Sequence, residues 1–164
     1  MAEPRSVSDP SEEMAQLEIR KGEEAELRVG GLRLVACRRE VGELDGGVSL
    51  YVFGDLPGDD RELLRFDFFR TRPHYHAPAE NRTDTVIEVD AHLDSASWGI
   101  EALTRRAPEL LREGGFDEIA ERLDGAALES AGDALRELLM DLGEPTQVSY
   151  FEIPKAVLDS LTAG

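Results

Sequence analysis

AELRVGGLRLVA, at residues 25–36, contains the clearest structural signal in this chain. Apolar and polar side chains alternate on both sides of the pair Gly30-Gly31, as they do in strands that bury one face. Two consecutive glycines supply the positive φ angles that a tight turn needs at its central positions. The stretch therefore predicts a β-hairpin, and we expect its strands to belong to an antiparallel sheet.

Three further strands are predicted at residues 48–53, 63–69 and 85–90, where apolar and β-branched residues dominate. Segments rich in Gly, Pro and Asp separate them, and Asp45-Gly46-Gly47 is the expected turn before the first. Because these connections are short, neighbouring strands should run antiparallel. Residues 147–153 are a candidate edge strand.

After Ala91 the apolar period lengthens from two residues to between three and four, which is typical of helices. The first helix is expected to be capped by Ser95 or Ser97, to kink at Pro108 and to end at Gly114-Gly115. A second is expected at residues 118–123, capped by Asp117, and a third at residues 126–142. A short last helix is expected after Pro154. Strands first and helices later predict an α+β fold. We expect an antiparallel sheet of four to five strands with three to four helices packed mainly on one face.

The chain has 164 residues, enough to close a hydrophobic core without disulfides. Residues 1–14 are rich in Pro, Ser and Glu, which predicts a disordered acidic tail. Residues 15–164 are expected to form a single α+β domain. The one cysteine, Cys37, lies in an apolar run, so we expect a buried and inert thiol.

The formal net charge is −17, from 35 acidic and 18 basic residues. A field of this sign repels nucleic acid and anionic lipid surfaces, so we expect neither as a partner. The sequence has no apolar run near the ~20 residues of a spanning helix, and its N-terminus lacks the apolar core of a secretory signal. These features predict a cytoplasmic protein whose partner is a protein or a small molecule, and a homodimer is compatible with them.

The three histidines lie close together in the sequence, as His74, His76 and His92. In extended chain His74 and His76 share a face, and so do Glu88, Asp90 and His92. If residue 74 lies opposite residue 88 in a hairpin, the two sets meet, whereas a slip of one residue separates them. Imidazole and carboxylate suit zinc, manganese or iron, so these five residues are candidate ligands of a divalent metal.

Other interpretations of this segment stay open. Arg65, Arg70 and Arg72 form a positive island that suits a carboxylate or phosphate ligand. The histidines, helped by Tyr75 and an arginine, suit metal-independent acid–base catalysis, although the acidic field disfavours a polyanionic substrate. The arginines can also simply pair with neighbouring acids.

The leading hypothesis is a small soluble binding domain that holds a divalent metal in the His/carboxylate cluster. The main alternative is a non-catalytic protein–protein interaction module that uses the sheet face or an edge strand. An anion-binding or acid–base enzyme is the second alternative. Whether the protein is an enzyme is left undecided by the sequence.

The segment LRFDFFRTRPHYH, residues 64–76, followed by residues 87–90 and a helix containing Trp98, resembles a small uncharacterised prokaryotic domain family. The resemblance covers about residues 25–140 and rests on an Arg-Phe-Asp…Pro-His-Tyr-His signature. It implies no activity, since the family has none assigned. It does imply that five residues of the segment belong together. These are Arg65, Asp67, Pro73, His74 and His76.

Overall fold

The computed structural model describes residues 13–78, 85–86 and 94–163, with side chains described in 13–78 and 94–160. These residues form an α+β fold, as the order of strands and helices predicts. One antiparallel sheet has eight strands, and five helices accompany it. No helix within the described ranges has the length and apolar character needed to cross a membrane.

The sheet contains more strands than the four to five expected. Its members are β1 (Met14–Lys21), β2 (Ala25–Val29), β3 (Leu32–Val41), β4 (Asp45–Gly54), β5 (Leu64–Phe69), β6 (His74–His76), β7 (Thr85–Val86) and β8 (Gln147–Pro154). Their order across the sheet is β7-β6-β5-β4-β3-β1-β8, and β2 pairs with β3 off this path. The predicted hairpin is confirmed as β2–β3, with φ of 62° at Gly30 and 94° at Gly31.

Two strands were missed for different reasons. β6 has three residues, too few to show a period. β1 pairs along its whole length with β8, which lies more than 120 residues later in the sequence. No turn sequence therefore connects the two strands, and a local hairpin pattern could not predict β1. The candidate edge strand is confirmed as β8, at one end of the sheet order.

The turn expected at Asp45-Gly46-Gly47 is wrong by a few residues. Val41 pairs with Asp45, so the turn lies between them, and Gly42 supplies the positive φ of 54°. Asp45 instead begins β4 and uses its carboxylate elsewhere. It accepts hydrogen bonds from the backbone N–H groups of Thr71 (2.9 Å) and Arg72 (2.8 Å). These bonds hold the loop that leads from β5 into β6.

The helices are α1 (Ser95–Glu113), α2 (Asp117–Glu121), α3 (Gly125–Glu129), α4 (Gly132–Met140) and α5 (Lys155–Ala163). α1 is capped by Asp94, rather than by Ser95 or Ser97, and the Asp94 carboxylate accepts from the Ser97 N–H at 2.7 Å. The kink near Pro108 is confirmed, because Arg106 leaves helical geometry. Gly114 ends the helix as expected.

The single helix expected at residues 126–142 is wrong, because the chain breaks between α3 and α4. The predicted leucine stripe nevertheless survives the break. Leu128, Leu135 and Leu139 are all buried in the same core cluster. An interruption of two residues, 130 and 131, therefore left the apolar face in phase, and periodicity alone could not detect it.

Alternation divides the sheet into two faces. The first packs against α1–α4 and forms the core, with Leu34, Leu50, Val52, Leu64 and Phe66 fully buried. The second face carries a row of four side chains that lie opposite one another across β3, β4, β5 and β6. They are Cys37, Ser49, Asp67 and His74. Cys37 is buried, and this burial raises the pKa of its thiol, as expected of an inert cysteine.

Candidate metal centre

The centre lies where β5 and β6 pair on the second face of the sheet. Asp67 lies opposite His74, and Arg65 lies opposite His76. The local sequence explains this placement, because Phe66, between Arg65 and Asp67, turns to the core. The alternation of β5 therefore separates an aromatic face from a charged one.

Tyr75 fixes β6 in the same way from the core side. Its ring stacks on Phe66 with centroids 5.8 Å apart and lies 5.5 Å from the ring of Trp98. Its hydroxyl donates to Glu113 at 3.3 Å. Because neighbouring side chains in a strand point to opposite faces, anchoring Tyr75 in the core directs His74 and His76 to the other face.

Three side chains converge on this face. The carboxylate of Asp67 and the imidazoles of His74 and His76 each offer one ligand atom, and these atoms lie within 4.8 Å of one another. Asp67 Oδ2 is 3.0 Å from His74 Nε2 and 3.9 Å from His76 Nε2. Ligands bound at about 2.1 Å to one ion lie about 3 to 4 Å from each other. The buried Asp67/His74/His76 group can therefore hold a metal ion.

The second nitrogen of His74 is held by the backbone. Nδ1 lies 2.8 Å from the carbonyl oxygen of Arg72, which can only accept, so Nδ1 carries a hydrogen and donates. Nε2 is therefore the nitrogen that faces Asp67 Oδ2, at 3.0 Å. Metal-binding histidines are commonly oriented by this kind of backbone contact.

The two oxygens of Asp67 have different partners. Oδ1 accepts from the Ser49 hydroxyl at 2.6 Å and from Arg39 Nη1 at 3.5 Å. Oδ2 faces the histidines and accepts from Arg65 Nε at 3.1 Å. One oxygen is thus held by the neighbouring strands, and the other points into the centre.

The electrostatics keep Asp67 ionised. Burial raises the pKa of this carboxyl, but the hydrogen bond from His74, the charge of Arg65, the Ser49 hydroxyl and the charge of Arg39 together outweigh it, and the pKa falls to about 2. Asp67 is only 1% exposed. The centre therefore contains a fully charged, buried carboxylate at neutral pH.

Arg65 also touches the centre from its more open side. Its Nη2 lies 2.9 Å from Nε2 of His76, where a guanidinium donates and the imidazole nitrogen accepts. The Arg65 side chain is 27% exposed. His74 and His76 thus both direct Nε2 toward Asp67 Oδ2, and Arg65 bridges the carboxylate and His76.

The expected metal ligands have different outcomes. His74 and His76 converge, and the third member is Asp67, which the metal hypothesis omitted although the signature segment contained it. Glu88, Asp90 and His92 lie outside the described residues. The sequence left the strand register open, and in the structure β6 pairs with both β5 and β7, so that His74 lies opposite Asp67 on one side and Val86 on the other.

The three candidate anion-binding arginines point to different partners. Arg65 contacts Asp67 and His76, as described above. Arg70 donates to both carboxylate oxygens of Glu40, at 2.6 and 3.0 Å. Arg72 contributes backbone groups, its N–H to Asp45 and its carbonyl to His74. Tyr75, proposed to assist acid–base chemistry, instead has its ring in the core beside Phe66 and Trp98.

Arg39 and Ser49 were missed by the sequence analysis. They come from β3 and β4, and only the pairing registers of β3 with β4 and of β4 with β5 bring them to Asp67. Strand alternation predicts which face of β4 carries Ser49 and which face of β5 carries Asp67. It does not show that they are neighbours, because register is set by packing.

Comparison with known proteins places these residues in a family. Residues 17–139 match the model of a family described as a domain of unknown function, DUF7700. The chain belongs to the DUF7700 family. This confirms the expected membership of an uncharacterised domain family, and the DUF7700 match contains every residue of the candidate centre. No curated protein and no solved structure matches the chain.

Proposed function

We propose that Asp67, His74 and His76 bind a divalent transition-metal ion. The observation that carries this proposal is the convergence of three buried ligand atoms within 4.8 Å. Its support is the contact between His74 Nδ1 and the Arg72 carbonyl, which orients the ring so that Nε2 faces Asp67 Oδ2 at 3.0 Å.

The donor set favours zinc or iron(II), and then manganese, over magnesium or calcium. Two imidazoles and one carboxylate match the nitrogen-rich sites of the first group, whereas magnesium and calcium prefer oxygen ligands. Three protein ligands leave at least one coordination position for water or another ligand. Such a centre suits binding of a small molecule at the metal.

The Arg65 side chain has to move away before an ion can bind His76. Its guanidinium holds the two atoms that an ion would share, Asp67 Oδ2 and His76 Nε2. Because the Arg65 side chain is partly exposed, it can turn toward solvent without opening the core. Metal binding is then an exchange of one internal cation for another.

The test is elemental analysis of untagged protein purified without chelator, followed by titration of metal-free protein with zinc, iron(II) and manganese. The His74→Ala/His76→Ala double variant should lose the ion. Asp59→Asn, which removes a half-buried carboxylate paired with Arg61, is the matched control and should bind as the wild type does. Thermal unfolding of each variant shows whether it is folded.

Near-stoichiometric metal that disappears in the double variant would support the proposal. Wild-type protein that stays empty after all three titrations would overturn it. Equal metal binding by the double variant and the wild type would also overturn the proposal, because the ion would then be bound elsewhere.

A further inference from the structure

The two terminal strands form a ribbon that extends past the rest of the sheet. β1 pairs with β8 through eight residues, from Met14 opposite Pro154 to Lys21 opposite Gln147. It pairs with β3 only at its last three residues, Ile19, Arg20 and Lys21. Among the described strands, the outer part of this terminal ribbon therefore consists of two strands alone, an arrangement that is marginally stable in water.

The terminal ribbon exposes large apolar side chains through β8. Tyr150 is 59% exposed, Phe151 48% and Val148 44%. Tyr150 lies opposite Glu18 and Phe151 opposite Leu17, so the exposed groups occupy both faces of the strand. α5 lies beside β8 and adds the exposed Val157.

The outer edge of β8 lacks the usual protection against strand pairing. In natural proteins an edge strand is prevented from pairing with another chain by being short, or by carrying lysine, an inward-pointing charge or proline. β8 has eight residues, its one charged residue is Glu152, and Pro154 comes only at its end. The described part of the sheet thus ends in a long, nearly uncharged strand.

Charge identifies the partner that this edge fits. The ribbon and α5 together carry three acidic and three basic residues, so they are neutral, and the rest of the chain holds the whole net charge of −17. The six are Glu18, Arg20, Lys21, Glu152, Lys155 and Asp159. A second copy of this chain meets strong like-charge repulsion at acidic surfaces, but little at the ribbon.

We propose that β8 pairs antiparallel with β8 of a second copy, giving a two-fold symmetric homodimer with one continuous sheet. An antiparallel strand pair is self-complementary, as a two-fold interface requires. A two-fold axis at Tyr150 places the two copies of Tyr150 opposite each other and Glu152 opposite Val148 of the second copy. In this register the two copies of Glu152 stay apart.

The dimer edge and the candidate metal centre lie at opposite ends of the sheet order, on β8 and on β5–β6. The two proposals therefore stand independently. Removing metal with a chelator should leave the oligomeric state unchanged.

The test is sedimentation equilibrium of the full chain over about a hundredfold range of concentration. We expect twice the 18.1 kDa of one chain. Tyr150→Lys places like charges at the pairing edge and should raise the dimer dissociation constant at least about tenfold. Met140→Lys, at an apolar residue of α4 that is also exposed, is the matched control and should leave the constant unchanged.

Tyr150→Lys changes an exposed side chain, so its circular dichroism and melting temperature at low concentration should match those of a wild-type monomer. A wild-type chain that keeps the mass of one copy throughout would overturn the proposal. A dimer equally stable in Tyr150→Lys would overturn it as well, since another surface would then join the copies.

Discussion

Asp67 and His74 lie directly opposite each other in β5 and β6, with Oδ2 of the carboxylate 3.0 Å from Nε2 of the imidazole. A shift of β6 by one residue would bring Tyr75 to this face and turn both histidines to the core. The pairing register of three residues thus determines whether this protein has a candidate centre at all. It also makes the consequences of single changes specific.

Acid should weaken the fold through Asp67. Its pKa is about 2 in the folded protein and about 3.8 in the unfolded chain. A lowered folded-state pKa means that the stabilisation is complete above the unfolded value and is lost as the pH falls from about 4 to about 2. The contribution is on the order of 2 kcal/mol, because each pKa unit corresponds to about 1.4 kcal/mol.

Urea unfolding of wild-type and Asp67→Asn protein between pH 7 and pH 2 measures this effect. The variant should be less stable by a constant amount above pH 5, and the difference should shrink between pH 4 and pH 2. A difference that stays the same over the whole range would show that the Asp67 carboxyl does not titrate as described.

Arg65→Met should strengthen metal binding. The change removes the guanidinium that lies against Asp67 Oδ2 and His76 Nε2, and loss of this positive charge favours a dication. We expect the zinc dissociation constant to fall about tenfold, equivalent to about 1.4 kcal/mol, in a competition titration with a chelating dye. Arg70→Met is the control, because Arg70 pairs with Glu40 instead. Weaker zinc binding in Arg65→Met would mean that the arginine supports the ion rather than competing with it.

Tyr75→Ala should damage fold and centre together. It removes a ring that packs against both Phe66 and Trp98, and truncation of a buried aromatic costs about 3 to 5 kcal/mol. Tyr75→Phe keeps the ring and loses only the hydrogen bond to Glu113, which should cost about 1 kcal/mol or less. Denaturant unfolding and zinc titration of both variants test this. Full zinc affinity in a destabilised Tyr75→Ala protein would separate the centre from the packing of β6.

Gly99→Ala should destabilise the protein although alanine favours helices. A Cβ at this position of α1 would overlap the ring of buried Phe68, so the ring, the helix or β5 must move, at a cost of about 1 to 3 kcal/mol. Gly132→Ala in α4 is the matched control, since no atom of the described residues lies within 4 Å of the new methyl group, and it should be neutral or slightly stabilising. Thermal melts compare the two variants. Equal melting temperatures would contradict the close packing of α1 on β5.

The sequence pattern predicted the strands and helices that depend on residues close together in the chain. The glycine pair at 30–31 sets the β2–β3 turn, and the leucine period sets the apolar face of α3 and α4, including the residues that enter the core. The break at residue 130 left that period in phase and stayed hidden. β1 has its main partner at the opposite end of the chain, so no turn could reveal it.

The candidate centre was half predictable for the same reason. His74 and His76 share a face in any extended chain, and the histidine spacing shows it. Asp67 stands in an apolar strand and joins them only through the β5–β6 register, while Arg39 and Ser49 need two more registers. The β5–β6 register depends on the loop that the Asp45 carboxylate holds and on the packing of the Tyr75 ring in the core. Neither interaction can be predicted from the spacing of apolar residues.

β6 gives its middle residue to the core and its two outer residues to the candidate centre. The ligand side chains are almost fully buried, and the more open side of the centre is the one that Arg65 covers. An ion held there would therefore exchange past the Arg65 side chain, with β6 still paired to β5 and the Tyr75 ring still packed on Phe66 and Trp98. Movement of one surface arginine would then set the rate of exchange, without local unfolding of the sheet.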